Sequence, residues 1–144
     1  MSPTSTPHAG ADTAVRHVAN RELATVEPDA TLQDVAEELA LDEIGVVLVQ
    51  YVHDPIGLIS ERDLVTVIAS GGDLERQATD IMSVDLVTVP AETTIAEVAR
   101  LMLDARIRHV LVRDTSDRDD PDGGPVIGIV SMRDVVALLL DDVR

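Results

Sequence analysis

No cysteine occurs among the 144 residues, so neither a disulfide framework nor a thiolate zinc site is open to the chain. Lysine is also absent, and all eleven basic residues are arginine, a bias that genome composition explains as readily as chemistry. Against 27 acidic residues they leave a net charge of −16. Such a balance repels phosphate backbones at long range, so no nucleic-acid partner is expected, and an anionic ligand would have to meet local arginines. Long apolar runs are missing as well: the longest, Val135–Leu140, falls far short of the roughly 18 residues of a membrane helix. The opening MSPTSTPHAGADTA has no apolar segment of the secretory kind. A soluble, cytoplasmic protein with no membrane partner is therefore expected. The four histidines are scattered, and no HExxH, nucleophile elbow, Walker or Rossmann glycine pattern occurs, so the chain is not expected to be an enzyme.

What is present is a repeat. Slid by sixty-three positions, Leu23 falls on Leu86, Thr25 on Thr88, Val26 on Val89, Thr31 on Thr94, Val35 on Val98, Ala36 on Ala99 and Ile44 on Ile107. After VVLV (46–49) and HVLV (109–112) the offset grows to seventy-one, and Gly57, Ser60, Arg62 and Asp63 meet Gly128, Ser131, Arg133 and Asp134. The additional residues fall in DTSDRDDPDGGP, read as a hairpin loop. A duplication of this size implies two copies of one supersecondary unit packed on each other. With 45% hydrophobic residues, the chain suffices for one compact core without staples.

Periodicity gives the elements of each copy. Leu32, Val35, Ala36, Leu39 and Ala40 recur at helical spacing, as do Ile95, Val98, Ala99, Met102 and Leu103. Thr31 with Asp34, and Thr94 with Glu97, supply capping signatures. The β-branched runs Val46–Val52 and His109–Val112 predict strands buried on both faces. A turn through His53, Asp54 and Pro55 then leads to strands Ile56–Ile59 and Val126–Val130. These enter helices Glu61–Ala69, which Gly71 and Gly72 end, and Met132–Leu140. A short helix over Thr79–Met82 opens the second copy. The order is β-α-β-β-α twice, an α+β fold. Residues 1–14 are expected to be a disordered tail, with repeat 1 over 15–72 and repeat 2 over 73–144 in one globular module.

The repeated Gly-x-x-Ser-x-x-Asp has two physical readings. A strand running through Ser-x-x-Asp into a helix aims unpaired N–H groups and the positive dipole end at the loop, where a phosphate could sit beside Arg62 or Arg133. The same Ser-x-x-Asp is also a capping box that satisfies the helix and binds nothing. The recurrence of glycine and arginine with it in both copies favours a binding role. Arg106, Arg108 and His109 form a cationic group at the start of a strand, open either to phosphate or to surface carboxylates. The acidic loop from Asp114 to Asp122 fails the EF-hand spacing and reads as solvated, which leaves cation binding there undecided.

The stretches DIMSVDLVTVPAETTIAEVARLMLDARIRHVLV with GIVSMRDVV, and LATVEPDATLQDVAEELA, IGVVLV and GLISERDLV, resemble a CBS-domain pair from about Val15 to Arg144. The resemblance implies two repeats packed sheet to sheet as a pseudo-two-fold pair, often dimeric as a flat disc. It further implies a regulatory module, expected here to stand alone, with clefts between the repeats for AMP, ADP, ATP or S-adenosylmethionine and no required cofactor. By this resemblance Ser60 and Ser131 approach phosphate, Asp63 and Asp134 accept from ribose hydroxyls, and Thr25 and Thr88 contact the nucleotide. With Arg62, Arg133, Arg108 and His109 these make the candidate site. With no Trp or Phe, an adenine ring would lie between Ile44, Ile107, Val26 and Val89, residues that could equally be plain core. A homodimer and a regulated protein partner are the implied associations; the alternative is a ligand-free dimerisation or interaction scaffold. Two departures stand out: Val47 and Val110 occupy a place where the family often has proline, and Gly45 and Val46 face Arg108 and His109, so the two sites should differ.

Overall fold

The computed structural model describes residues 9–41, 45–115 and 124–143. Along the chain run β1 (Thr25–Val26), α1 (Leu32–Leu41), β2 (Val46–Tyr51), β3 (Asp54–Ser60) and α2 (Glu61–Ala69). The second copy supplies β4 (Thr88–Pro90), α3 (Ile95–Ala105), β5 (His109–Arg113), β6 (Val126–Ser131) and α4 (Met132–Val143). The fold is α+β with two three-stranded sheets, ordered β1-β2-β3 and β4-β5-β6, each with a parallel pair followed by an antiparallel pair.

The chain forms two compact units, one of Glu22–Leu86 and one joining the segment before Glu22 to Val87 and beyond. Each has its own core, where length alone suggested a single one. In the first, Leu32, Val35 and Leu39 of α1 and Leu64 and Val67 of α2 cover Val47, Val49 and Ile59 of the sheet. In the second, Ile95, Val98 and Met102 of α3 cover Val89, Val110, Val112 and Val130. Burying one such side chain contributes about 1.5–3 kcal/mol, so the i, i+3, i+4, i+7 pattern decides which helix face turns inward. Burial is continuous over Val46–Val49 and Val110–Val112, as expected of strands covered on both faces.

The repeat boundaries at 15, 72 and 73 do not coincide with these units, because each sheet is completed by a segment preceding the other copy's sequence. The linker after α2 belongs to the first unit: Ala78 is fully buried in its core, Thr31 bridges to Gln77 and Leu58 to Ser83. In the second unit the N-terminal segment plays this part. Val15 is fully buried in that core, Ala14 bridges to Thr94, and Asn20 exchanges both backbone hydrogen bonds with Ile129 at 2.8 and 3.0 Å. The expected tail over 1–14 is corrected accordingly: from Ala9 to Asp12 the chain makes a 3-10 turn, and the Thr13 carbonyl accepts from Ile95 N at 2.9 Å. Apolar burial of Val15 anchors a stretch whose composition resembles a linker. Residues 1–8 of that tail lie outside the described residues.

Other boundaries shift for local reasons. The first hairpin is tighter than expected, with β3 beginning at Asp54 and the turn made by Val52 and His53. Pro55 fits within β3 because it pairs with Gln50 where the register shifts, at a bulge. A 3-10 turn stands at Ala78–Asp80 in place of the short helix at Thr79–Met82. Gly71, at φ +79, ends α2 in the left-handed conformation that glycine adopts without strain, and Gly72 N donates to the Val67 carbonyl at 2.8 Å. Most of the acidic 114–124 loop lies outside the described residues.

Candidate functional site

Both Ser-x-x-Asp elements stand where an edge strand becomes a helix. Ser60, extended at φ −99 and ψ 166, caps α2: its Oγ accepts from Asp63 N at 3.2 Å, and Asp63 Oδ2 accepts from Ser60 N at 2.8 Å. Ser131 and Asp134 repeat this at α4, with distances of 3.1 and 2.8 Å. The capping box is therefore realised twice. Among the described residues it leaves each serine hydroxyl proton and each aspartate Oδ1 without a partner. The first amide of α2, Glu61 N, donates to the Gly45 carbonyl at 3.1 Å, and its counterpart Met132 N to the Arg108 carbonyl at 2.8 Å.

Strand register decides what shares a face with these serines. Thr25 pairs with Leu48 and Leu48 with Leu58, while Val46 pairs with Ser60. Since side chains alternate along a strand, Thr25, Val46, Leu48, Leu58 and Ser60 point away from the face that carries core residues Val47, Val49 and Ile59. By the same logic Thr88, Leu111, Ile129, His109 and Ser131 lie opposite the face of Val110, Val112 and Val130. The structure thus brings threonine and serine onto one face of each sheet, on the two strands flanking the central one, about 10 Å apart laterally. Arg62 and Arg133 are exposed on the first turns of their helices and make no ion pair among the described residues.

The two copies differ in charge at this place. Arg108 is exposed, and His109 is a half-buried residue directly opposite Ser131 in the register. Burial lowers the His109 pKa below its ordinary value, an effect the Asp134 carboxylate opposes and the Arg108 guanidinium reinforces. In the first unit Val46 is buried, and Gly45 stands at φ +80 where an added side chain would begin 3.0 Å from Glu61 Oε1. Glu61 went unnoticed in the sequence, although its counterpart Met132 is uncharged. Arg106 ends α3 at φ 57, its amide bonded to the Met102 carbonyl.

The glycines of the motif have a packing role that sequence reasoning missed. A Cβ on Gly57 would overlap the Met82 side chain, and one on Gly128 would lie 3.0 Å from both Ala19 Cβ and the Asn20 carbonyl oxygen. The completing segments cross the sheets there, so recurrence of glycine does not by itself argue for a ligand. Among the adenine-lining candidates, Val26, Val89 and Ile107 pack with the cores, whereas Ile44 lies outside the described residues. A hollow of about 390 Å³ is lined by Thr25, Val26, Glu27, Gln50, Val52 and His53 in the first unit. Another of about 440 Å³ in the second is bordered by Arg16, which pairs with Glu92 at 2.9 Å, and by Arg21 and Asp114. Neither hollow reaches the serines. Among the described residues no group of three metal-ligating side chains occurs.

Comparison with known proteins places these features in a family. The model described as CBS domain matches twice, over residues 15–70 and 78–141. A protein of Methanopyrus kandleri is 36% identical over 126 residues, covering 85% of this chain, which spans 61% of that relative's length. A CBS domain protein of Pyrobaculum aerophilum, solved in complex with AMP, superposes with a TM-score of 0.74 at 26% identity, covering 90% of this chain and 98% of that one. A CBS-domain containing protein of Agrobacterium tumefaciens does so with a TM-score of 0.73 at 28% identity, covering 91% and 96%. With two family matches laid over two β-α-β-β-α copies, the chain belongs to the CBS domain family.

Proposed function

We propose that this chain is a regulatory module that binds an adenosine-containing ligand, AMP, ADP, ATP or S-adenosylmethionine, through the serine and aspartate at its two strand-to-helix junctions. In this reading Ser60 or Ser131, the positive end of the following helix and Arg62 or Arg133 meet phosphate or its equivalent, and Asp63 or Asp134 offers Oδ1 to the ribose hydroxyls. Thr25 or Thr88 meets the ligand from the far strand of the same face, with Arg108 and His109 adding contacts in the second copy. The observation that carries the reading is the residual bonding capacity. Each capping box uses one carboxylate oxygen and one hydroxyl lone pair, leaving the other oxygen and the hydroxyl proton on a face shared with threonine. The AMP-bound relative at 26% identity supports the ligand class. Regulation follows if the ligand favours one arrangement of the protein or its homodimer over another and a protein partner reads the difference.

A thermal-shift panel tests the proposal. Ligands that bind only the folded state raise its melting temperature, so at least one adenosine compound at millimolar concentration should do so. No rise with any of them contradicts the reading. It would favour an interaction or dimerisation scaffold, a role compatible with capping boxes that already satisfy their helices and with the exposed Val65, Ile68 and Val136.

A further inference from the structure

The surroundings of the two junctions carry opposite charge. Gly45 and Arg108 are matched by structure as well as by sequence, since each carbonyl accepts from the first amide of the following helix, Glu61 N at 3.1 Å and Met132 N at 2.8 Å. In the second unit that position projects a guanidinium, and the adjoining helix begins with uncharged Met132. In the first it projects nothing, and Glu61 folds back so that Oε1 lies 3.0 Å from where the missing side chain would start. A carboxylate therefore occupies, beside the first junction, the space from which Arg108 extends beside the second. The next residue on each strand follows the same trend, apolar Val46 against His109.

We infer that Glu61 and Arg108 set opposite ligand preferences at the two junctions: the second takes a phosphate-bearing adenosine ligand, while the first rejects phosphate and takes an adenosine group without one. The inference rests on the nucleotide reading above. A phosphate entering the first junction meets the Glu61 and Asp63 carboxylates with Arg62 as the one nearby cation of its own motif. At the second it meets Arg108 and Arg133 against Asp134 alone. Charge-assisted hydrogen bonds make guanidinium a strong phosphate partner, and a like charge at the same distance opposes binding by a comparable amount. Adenosine, lacking the phosphate, should be indifferent to the charge of Glu61.

The test is titration of the ¹⁵N-labelled full chain with AMP and, separately, with adenosine, following the backbone amides of 57–63 and 128–134. The expected result is that AMP perturbs 128–134 at concentrations about tenfold below any effect on 57–63. Glu61→Gln should strengthen AMP binding at 57–63 by at least about threefold. Arg108→Ala should weaken it at 128–134 by about tenfold. Adenosine titrations should be unchanged by Glu61→Gln, which separates a charge effect from a structural one. AMP perturbing both junctions equally, or first at 57–63, or without response to Glu61→Gln, would overturn the inference while the nucleotide reading stands. Silence of both junctions towards both compounds would overturn the nucleotide reading and this inference with it.

Discussion

At the residue scale, the pair of Ser-x-x-Asp elements shows how one set of atoms can serve structure and recognition together. Asp63 and Asp134 each bind a serine amide through Oδ2, so replacement by asparagine keeps an acceptor for the helix while altering what Oδ1 offers. His109 makes a different prediction, concerning pH. Its folded pKa lies below the ordinary value of 6.5, mainly because burial disfavours the charged imidazolium. Above that value both states are neutral and the full stability is present. As pH falls below it the unfolded chain takes up the proton first, so stability declines until the folded pKa is reached. Thermal melts of wild type and His109→Gln between pH 7.5 and 5 should therefore diverge, with the wild type losing more on acidification; parallel curves would contradict the assignment. The serines and aspartates were legible because a duplication makes them visible twice, and His109 because it departs from its counterpart Val46. Glu61 was not, since its significance lies in where the side chain folds rather than in its spacing.

At the scale of elements, helical periodicity located α1 and α3, because an apolar stripe has one face on which to be buried, and the strand-to-helix Ser-x-x-Asp junctions located α2 and α4. Both threonine caps form at α1 and α3, with Thr31 accepting from Asp34 N at 3.1 Å and Thr94 from Glu97 N at 3.2 Å; at α1 the return bond, Thr31 N to Asp34 Oδ2 at 3.1 Å, forms as well. What the sequence hides is that a completing segment takes the first amide of each helix, Leu32 N by the Arg76 carbonyl and Ile95 N by that of Thr13, both at 2.9 Å. The same segments explain the motif glycines. Gly57→Ala should destabilise the first unit by about 1–3 kcal/mol through overpacking against Met82. Adding Met82→Ala should recover part of the loss relative to the sum of the single substitutions, a coupling that a double-mutant cycle by urea denaturation measures. Strict additivity would show that the glycine answers to something other than this contact.

At the scale of the whole molecule, two units each close a three-stranded sheet with two helices and a completing segment. Repeat periodicity revealed the two copies but not this exchange of segments, because Val15 and Ala78 lie in short stretches with neither helical nor strand periodicity. The shared offset of sixty-three between Val15 and Ala78, and between Asn20 and Ser83, was the available signal. Removing the chain through Arg21 should strip the second unit of fully buried Val15 and of the Asn20–Ile129 hydrogen bonds. Hydrogen exchange should then accelerate across β4, β5 and β6 while amides of β2 and β3 stay protected; uniform acceleration, or none, would contradict separate completion of the two cores. No described helix is long and apolar enough to cross a membrane.

Ligand binding where strands turn into helices calls on the second carboxylate oxygen of Asp63 and Asp134. Calorimetric titration of AMP into the Asp63→Asn/Asp134→Asn double variant, alongside its melting temperature, examines that dependence directly. The predicted result is affinity reduced by about tenfold or more, with stability within about 1 kcal/mol per site of the wild type. Wild-type affinity in the double variant would show that the aspartates serve their helices alone and that the ligand, if bound, sits elsewhere.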